Sequence, residues 1–327
     1  MKKVNISCAM VLALSAGIGN LQCAWAQTHV SVSEPTGINL GSTSFMDGYG
    51  SLNPGFMYQQ YFQIYHFNSI NTVSGKSNSL FKDPKINVLV SLNQLIYVSP
   101  FHVFGGALGW DTLLAVTHSS SSFAQDSIAK LSTNQGLKMG DLGWGPFLQM
   151  PMMMLHGHPF MIQRFELTVL SPTGAYDRSK DINPSSGYWS LNPDWAVTVF
   201  PAPKAEISAR FFYLHNFVNN HPASSATLPD DTKTQAGDAG WINFAMSYQV
   251  IPKLSLGLNG YYFKQFENNK VNGVSQNGSR QESLSIGPGA SYMLNNRNLF
   301  YLNFYLPVIK KNTTSGVSAI IRWGHVF

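Results

Sequence analysis

Apolar and polar residues alternate with a period of two along most of the chain beyond residue 55. Between residues 253 and 266, for example, Leu254, Leu256 and Leu258 alternate with Ser255 and Asn259. A period of two indicates a β-strand, because successive side chains of a strand point to opposite faces. About twelve segments of this kind are long enough, at about 10 residues or more, for a tilted strand to cross a bilayer. They are 56–67, 86–98, 101–117, 146–154, 160–170, 188–200, 204–217, 240–250, 253–266, 282–294, 299–309 and 315–327.

The connections between these segments alternate between short and long. Outer-membrane barrels place short turns in the periplasm and long loops outside the cell. The pattern therefore predicts an all-β fold, a transmembrane antiparallel up-and-down β-barrel of about 12 strands over residues 56–327. Both termini would lie in the periplasm, because the strand count is even. The short connections centre on 99–100, 156–159, 201–203, 251–252 and 295–296, and the long ones on 68–85, 118–145, 171–187, 219–239 and 267–280; a short last loop at 310–314 completes the set.

A soluble β-sandwich or lipocalin-like barrel is the main alternative for so many alternating strands. Such folds put apolar faces inward and charged residues outside. Here only 11% of residues are charged, 13% are aromatic, and the charged residues cluster in the long connections. No apolar run after residue 26 reaches the roughly 18 residues that a membrane helix needs. The composition therefore favours a barrel in the bacterial outer membrane, and a net charge of +5 is too small to suggest a nucleic-acid partner.

The N-terminus has the features of a secretory signal peptide over residues 1–26. Two lysines precede an apolar stretch, and a small-residue cleavage site (AWA) ends at Ala26. Acylation of Cys23, as in a lipoprotein, is the alternative, but the residue before it is not the usual small one. Cleavage after Ala26 removes both cysteines, so the mature protein would have no disulfide and no thiolate metal ligand. Residues 27–55 then form either a periplasmic segment or a luminal plug.

The last segment ends in a pattern that resembles the signal read by the outer-membrane assembly machinery. Val317, Ile321 and Trp323 share one phase, and the chain closes on the aromatic Phe327. His325 departs from the pattern, since a bulky apolar residue is commoner there. We therefore expect two partners for the folded barrel, outer-membrane lipid and, through Phe327, the barrel assembly machinery.

Charged residues within the segments indicate which face points to the lumen. An arginine at the bilayer midplane on a barrel exterior costs about 2 to 4 kcal/mol. The charged faces of 160–170, 188–200 and 204–217 are therefore assigned to the lumen, whereas in 86–98 the apolar even positions are assigned to lipid. The charged residues predicted to line the lumen are Asp111, Arg164, Glu166, Asp194, Glu206, Arg210 and Arg322, and the tyrosines are Tyr61, Tyr65, Tyr97, Tyr261, Tyr301 and Tyr305.

This mixture of charges allows two interpretations. The first is a salt-bridge network that fills a narrow barrel. The second is a constriction that selects solutes through paired opposite charges. The tyrosines would either fill space or offer flat amphipathic surfaces to an aromatic solute. Both interpretations stay open at this point.

Three stretches resemble the outer-membrane transporter family named for the meta pathway of phenol degradation. The resemblance implies a barrel fold, an outer-membrane location and the passage of small hydrophobic or aromatic compounds, without a specific substrate. A barrel with a closed lumen and a structural or surface role is the alternative. The stretches are GDLGWGP at 140–146, LSPTGAYD at 170–177 with Asn183, YWS at 188–190 and Pro193, and GLNGYY at 257–262 with Gln265.

An outer-membrane enzyme such as a phospholipase is the third class of function. Phospholipases of this kind use serine, histidine and asparagine in a His-x-Ser-Asn order, which this chain lacks; the pair His215-Asn216 is among the nearest approaches. His156 and His158 lie at a turn without a cysteine or a nearby carboxylate, which is weak evidence for a metal. We therefore expect a non-enzymatic protein with no catalytic residues, no metal site and no cofactor.

The signal peptide gives the first testable prediction. We expect the mature protein to begin near Gln27, because the best small-residue site after the apolar stretch ends at Ala26. N-terminal sequencing of protein extracted from outer membranes measures this directly. An intact Met1 or a lipid-modified Cys23 would contradict it.

Overall fold

Twelve long strands make up the protein in a computed structural model that describes residues 32–327. The signal peptide predicted over residues 1–26 lies outside the described residues. The strands are β1 Gly55–Ile70, β2 Lys85–Val103, β3 Gly106–Ser122, β4 Leu137–Gln149, β5 His158–Ser171, β6 Ser190–Ala202, β7 Ala205–Asn216, β8 Ala239–Ile251, β9 Leu254–Gln265, β10 Glu282–Asn295, β11 Asn298–Lys311 and β12 Thr314–Val326.

The strands form one closed antiparallel barrel, as predicted. Each strand pairs with the next along the chain, and β12 closes the ring by pairing with β1 from Met57↔Val326 to Ile70↔Thr314. Closure removes every free sheet edge, which is what a sheet needs in order to cross a bilayer. Among the described residues, no helix has the length and hydropathy to span a membrane. The prediction of an all-β up-and-down barrel with about 12 strands is confirmed.

The strand boundaries differ from the sequence prediction by more than three residues in two places, the β2–β3 hairpin and the fourth strand. The turn between β2 and β3 lies at Phe104-Gly105, both with positive φ, rather than at 99–100. The fourth strand is Leu137–Gln149 rather than 146–154, because Pro151 has no N–H to continue the ladder. A separate short strand, Met153–Leu155, pairs instead with the start of β5.

The phase of β2 is the opposite of the predicted one. Ile96 and Val98 are buried inside the barrel, only 4% and 6% exposed, and the intervening Tyr97 lies on the outer face, 36% exposed, against Phe56. The prediction that Tyr97 lines the lumen is therefore wrong. Ile96 and Val98 can face inward because Leu52 of the chain inside the barrel packs against them, so these side chains are not exposed to water there.

Residues 32–54 lie inside the barrel and contact its wall from one end to the other. Near the ends of strands that lead into long loops, the Tyr188 hydroxyl donates a hydrogen bond to the Ser33 carbonyl, 2.6 Å. Further along, Gly41 N donates to Asn243, 3.0 Å, and Gly48 N donates to Thr198, 3.0 Å. The segment then enters β1 at Gly55, beside the short turns. These 23 residues, called the inner segment below, occupy much of the lumen.

Close packing of the inner segment against the wall depends on glycine. Gly41 has a φ of 75°, and a Cβ there would lie 2.7 Å from the ring of Tyr305. On the wall side, Gly257 and Gly289 leave room for the fully buried ring of Phe45, since a Cβ at either position would come within 3 Å of that ring. Residues without side chains therefore let the inner segment and the wall pack together.

Candidate functional site

A buried network of opposite charges lies where β3, β5, β6 and β7 face the lumen. Glu166 and Asp194 stand directly opposite each other across the β5–β6 pair. Two like charges in that position repel each other, so the pair needs cations close by. Arg164 and Arg210 supply them from the inward faces of β5 and β7.

Arg164 holds the part of the network nearest β3. Its Nη2 lies 2.9 Å from both Asp111 Oδ2 and Glu166 Oε2, and its guanidinium group lies over the ring of Phe147, 3.6 Å from the centroid. Gln94 donates a further hydrogen bond to Asp111, 2.6 Å. Each of these charged groups is nearly or fully buried, so the attraction is screened far less than at a surface.

Arg210 holds the other part and links the wall to the inner segment. Its Nη2 lies 3.0 Å from Asp47 Oδ1, and its Nη1 lies 3.5 Å from Asp194 Oδ1 and 3.8 Å from Glu166 Oε2. Asp47 is a site residue that the sequence analysis missed. No local pattern marks it, because it lies in a glycine-rich stretch outside any strand and meets Arg210 only in the folded barrel.

The structure separates two predicted residues, Glu206 and Arg322, from this network. Glu206 faces the lumen but accepts hydrogen bonds from Ser208, Ser247 and the backbone N of Met46 instead of pairing with an arginine. The Arg322 guanidinium group lies 3.5 Å from the ring centroid of Tyr301. Arg322 is thus held by aromatic faces, an arrangement that stabilises a cation away from water.

The inward tyrosines divide into two groups. Tyr61 and Tyr301 border the internal cavity described below. Tyr65, Tyr261 and Tyr305 do not border it, and the Tyr305 hydroxyl donates to the Gly41 carbonyl, 2.6 Å. The ring of Tyr305 also lies 5.5 Å from that of Tyr261. These three therefore act chiefly as packing and hydrogen-bonding partners for their neighbours inside the barrel.

A cavity of about 1390 Å³ remains beside the inner segment. It extends from the short turns, at Lys204 and Asn296, to Asp141 and Pro184 near the long loops. Between these ends its wall combines apolar side chains with the charged network. The residues from β3 to β7 that border it include Leu113, Ala115, Phe147, Ile162, Arg164, Glu166, Leu170, Asp194, Arg210 and Phe212.

Glu34 binds the start of the inner segment to the wall. Its Oε2 accepts a hydrogen bond from Asn216, 2.8 Å, while its Oε1 is buried and has no hydrogen-bond partner in the described structure. Burial raises the pKa of the Glu34 carboxyl group to about 8; the Asn216 hydrogen bond opposes this rise and the Asp238 carboxylate adds to it. Asp238 itself is paired with His215, 3.0 Å. Glu34 is therefore protonated at neutral pH.

Within residues 32–327, no group of three or more histidine, cysteine, aspartate or glutamate residues could hold a metal ion. Inside the barrel, the inner segment, the charged network and the cavity lie side by side.

Replacement of Arg210 by alanine should destabilise the barrel. The change removes the cation that pairs with Asp47 and Asp194, so both carboxylates stay buried without it and repel each other. Removing one partner of a buried ion pair costs about 3 to 5 kcal/mol. Thermal or urea unfolding in detergent measures this cost, and limited proteolysis of the inner segment should become faster. Arg297→Ala, at an exposed turn position, is the control. Equal stability of the two variants would contradict the assignment.

The inner segment should be held more weakly as the pH rises. Glu34 has a pKa of about 8 when docked and an ordinary value of 4.5 when exposed, so docking takes up a proton between these values. Docking should therefore be strongest below pH 4.5, weaken up to about pH 8 and stay constant above. Hydrogen exchange of residues 32–54 at about pH 5 and about pH 9 measures this. In Glu34→Gln the difference due to this group should vanish; an unchanged difference would refute the role of Glu34.

Comparison with solved structures identifies the fold. The barrel matches an outer-membrane channel from Pseudomonas putida F1 with a TM-score of 0.72, over 85% of this chain and 98% of that chain, at 18% sequence identity. The toluene transporter TbuX from Ralstonia pickettii also matches, over 91% and 99% of the two chains, but at a TM-score of 0.41 and 10% identity. The first match establishes the fold of an outer-membrane barrel, and the second is too weak to support an argument.

No curated protein sequence matches this chain. Residues 67–323, however, match the sequence family described as "Putative MetA-pathway of phenol degradation". That range covers most of the barrel and includes all three stretches whose resemblance was noted from the sequence. The chain therefore belongs to this family, and its fold is that of an outer-membrane β-barrel.

Proposed function

We propose that the protein is an outer-membrane channel for small hydrophobic or aromatic compounds. The observation that carries this proposal is the cavity of about 1390 Å³, which reaches residues near both ends of the barrel. A cavity of this size is larger than most small-molecule sites, and the exposed area of its wall is more apolar than polar, which suits such ligands. Membership of a family named for phenol degradation is consistent with this class of solute.

The charges beside the cavity nearly balance one another. The carboxylate side chains that border it are those of Asp47, Asp141, Glu166, Asp194 and Glu206, and the cationic side chains are those of Arg164, Lys204, Arg210, Lys253, Arg297 and Arg322. Five negative and six positive groups leave little net potential to draw in a solute of either sign. An uncharged aromatic compound needs no such potential and can lie against the apolar residues Phe147, Ile162 and Leu170.

Catalysis is not part of the proposal. His215, which the sequence analysis considered beside Asn216, lies on the outer side of β7 and pairs with Asp238 rather than with a serine. The alternative that stays in competition is a barrel with a closed lumen and a structural role. The inner segment gives that alternative its support, since it fills much of the space that a solute would use.

A pair of neighbouring leucines tests the proposal. Leu113 borders the cavity, whereas Leu114 is the adjacent residue of β3 and faces the other side of the wall. Leu113→Trp should obstruct the cavity and strongly reduce uptake of a radiolabelled neutral aromatic compound by cells that depend on this protein. Leu114→Trp adds the same ring toward lipid and should leave uptake unchanged. Equal uptake in both variants and in cells without the protein would favour the closed barrel.

A further inference from the structure

Four polar side chains form a cluster on the lipid-facing side of β1 and β2. Tyr58 and Gln60 alternate along β1 with the inward Gln59 and Tyr61, and Ser91 and Asn93 lie opposite on β2. The Tyr58 hydroxyl lies 2.5 Å from Gln60 Oε1 and 2.6 Å from Asn93 Oδ1, and Gln60 Nε2 donates to Ser91 Oγ, 2.8 Å. Tyr58, Gln60, Ser91 and Asn93 are called the outer polar patch below.

The outer polar patch lies within the apolar band of the barrel rather than at its edge. On β1 it is bounded by Phe56 on the side of the short turns and by Phe62 and Ile64 on the side of the long loops, all of them exposed. On β2 it lies between Leu89 and Leu95, which are also exposed. Side chains on both sides of the patch therefore face hydrocarbon, and so does the patch.

The middle of the outer wall is apolar on the other side of the barrel. There the outward positions of β5, β7, β8 and β9 carry mostly large apolar side chains with substantial exposure. Examples are Leu167, Ile207, Phe211, Met246 and Leu258. Gln163 on β5 is a single outward amide, and its Oε1 accepts a hydrogen bond from the indole of Trp195, 3.1 Å. The outer polar patch differs because it gathers two amides and two hydroxyl groups in one place, which the strand pattern by itself does not require.

The outer polar patch does not use all of its own hydrogen-bonding capacity. Tyr58 has one hydroxyl proton but faces two carbonyl oxygens. Asn93 Nδ2 has only long contacts, 3.3 and 3.4 Å, to backbone oxygens of Leu114 and Ser91. Gln60 Nε2 has a second N–H for which the described residues offer no acceptor. Lipid tails can neither donate nor accept hydrogen bonds, so these groups are costly unless another polar surface covers them.

We propose that the outer polar patch is the contact surface for a second copy of this chain. Amide and hydroxyl groups both donate and accept hydrogen bonds, so the patch is complementary to itself. All copies cross the membrane in the same direction. A two-fold axis along the membrane normal therefore brings the patch of one copy to the same depth as the patch of the other, which is the geometry of an isologous contact.

The energetics of such a contact follow from its surroundings. Apolar side chains gain little from leaving lipid, so association inside a bilayer depends on close packing and on polar groups that bond across the interface. The exposed Phe62, Leu89 and Leu95 would pack around the polar centre. Interhelical hydrogen bonds in membranes are worth about 0.6 to 2 kcal/mol each. On that scale, loss of the Asn93 amide should weaken association by about three- to thirtyfold.

Disulfide cross-linking in native outer membranes tests the proposal. Cys8 and Cys23, the chain's own cysteines, lie in the predicted signal peptide, so Ser91→Cys should provide the single thiol of the mature protein. Oxidation should then join two copies into a disulfide-linked dimer. Ala209→Cys is the matched control, because Ala209 faces outward between Val197 and Phe244 on the opposite wall. It should give no dimer above background.

A second variant separates a specific contact from random collisions. In Ser91→Cys combined with Asn93→Leu, the barrel should fold, as judged by its heat-dependent mobility on gels, and the cross-linked fraction should fall. Three results would overturn the proposal. They are a Ser91→Cys protein that stays monomeric, one that cross-links no more than Ala209→Cys, and one that cross-links to a chain of different mass.

Discussion

The pairing of Arg210 with Asp47 is the contact on which the interior of this barrel depends. Glu166 and Asp194 face each other across two strands, and Arg210 balances both while its other nitrogen holds Asp47 of the inner segment at 3.0 Å. One guanidinium group therefore balances carboxylates of the wall and also holds the inner segment in place. The same contact positions Phe45 and Leu52 against the wall on either side. The shape of the remaining cavity follows from where the segment is held.

The architecture could be predicted from the sequence because lipid imposes a simple rule. Every strand must present apolar side chains to hydrocarbon, and every backbone group must be paired within the wall. The first half of β9 obeys the rule, since Leu254, Leu256 and Leu258 all face outward. The cost of an arginine in lipid likewise assigned Arg164 and Arg210 to the side where the structure has them. The high free-energy cost of a charged side chain in lipid is thus the reason that the outward face of a strand can be predicted from the sequence.

The inside of the barrel could not be predicted in the same way, because its rule depends on what fills it. The prediction for β2 assumed a wet lumen and turned Ile96 outward. The inner segment makes that part of the lumen apolar through Leu52, so Ile96 faces inward and Tyr97 faces lipid. Asn93 then faces hydrocarbon as well, at some cost. Asp47 escaped notice for a related reason, since its role exists only through a partner more than 160 positions away.

Single-channel conductance tests the central claim, that the inner segment occupies the lumen, most directly. The full-length protein and a variant lacking residues 35–52 would be refolded and compared in planar bilayers, with heat-dependent gel mobility as the check that both form barrels. The account predicts a much larger conductance for the shortened protein, because the strands alone would then enclose a lumen filled with water. Equal conductance of the two refolded proteins would contradict it, since the segment could not then be what narrows the passage.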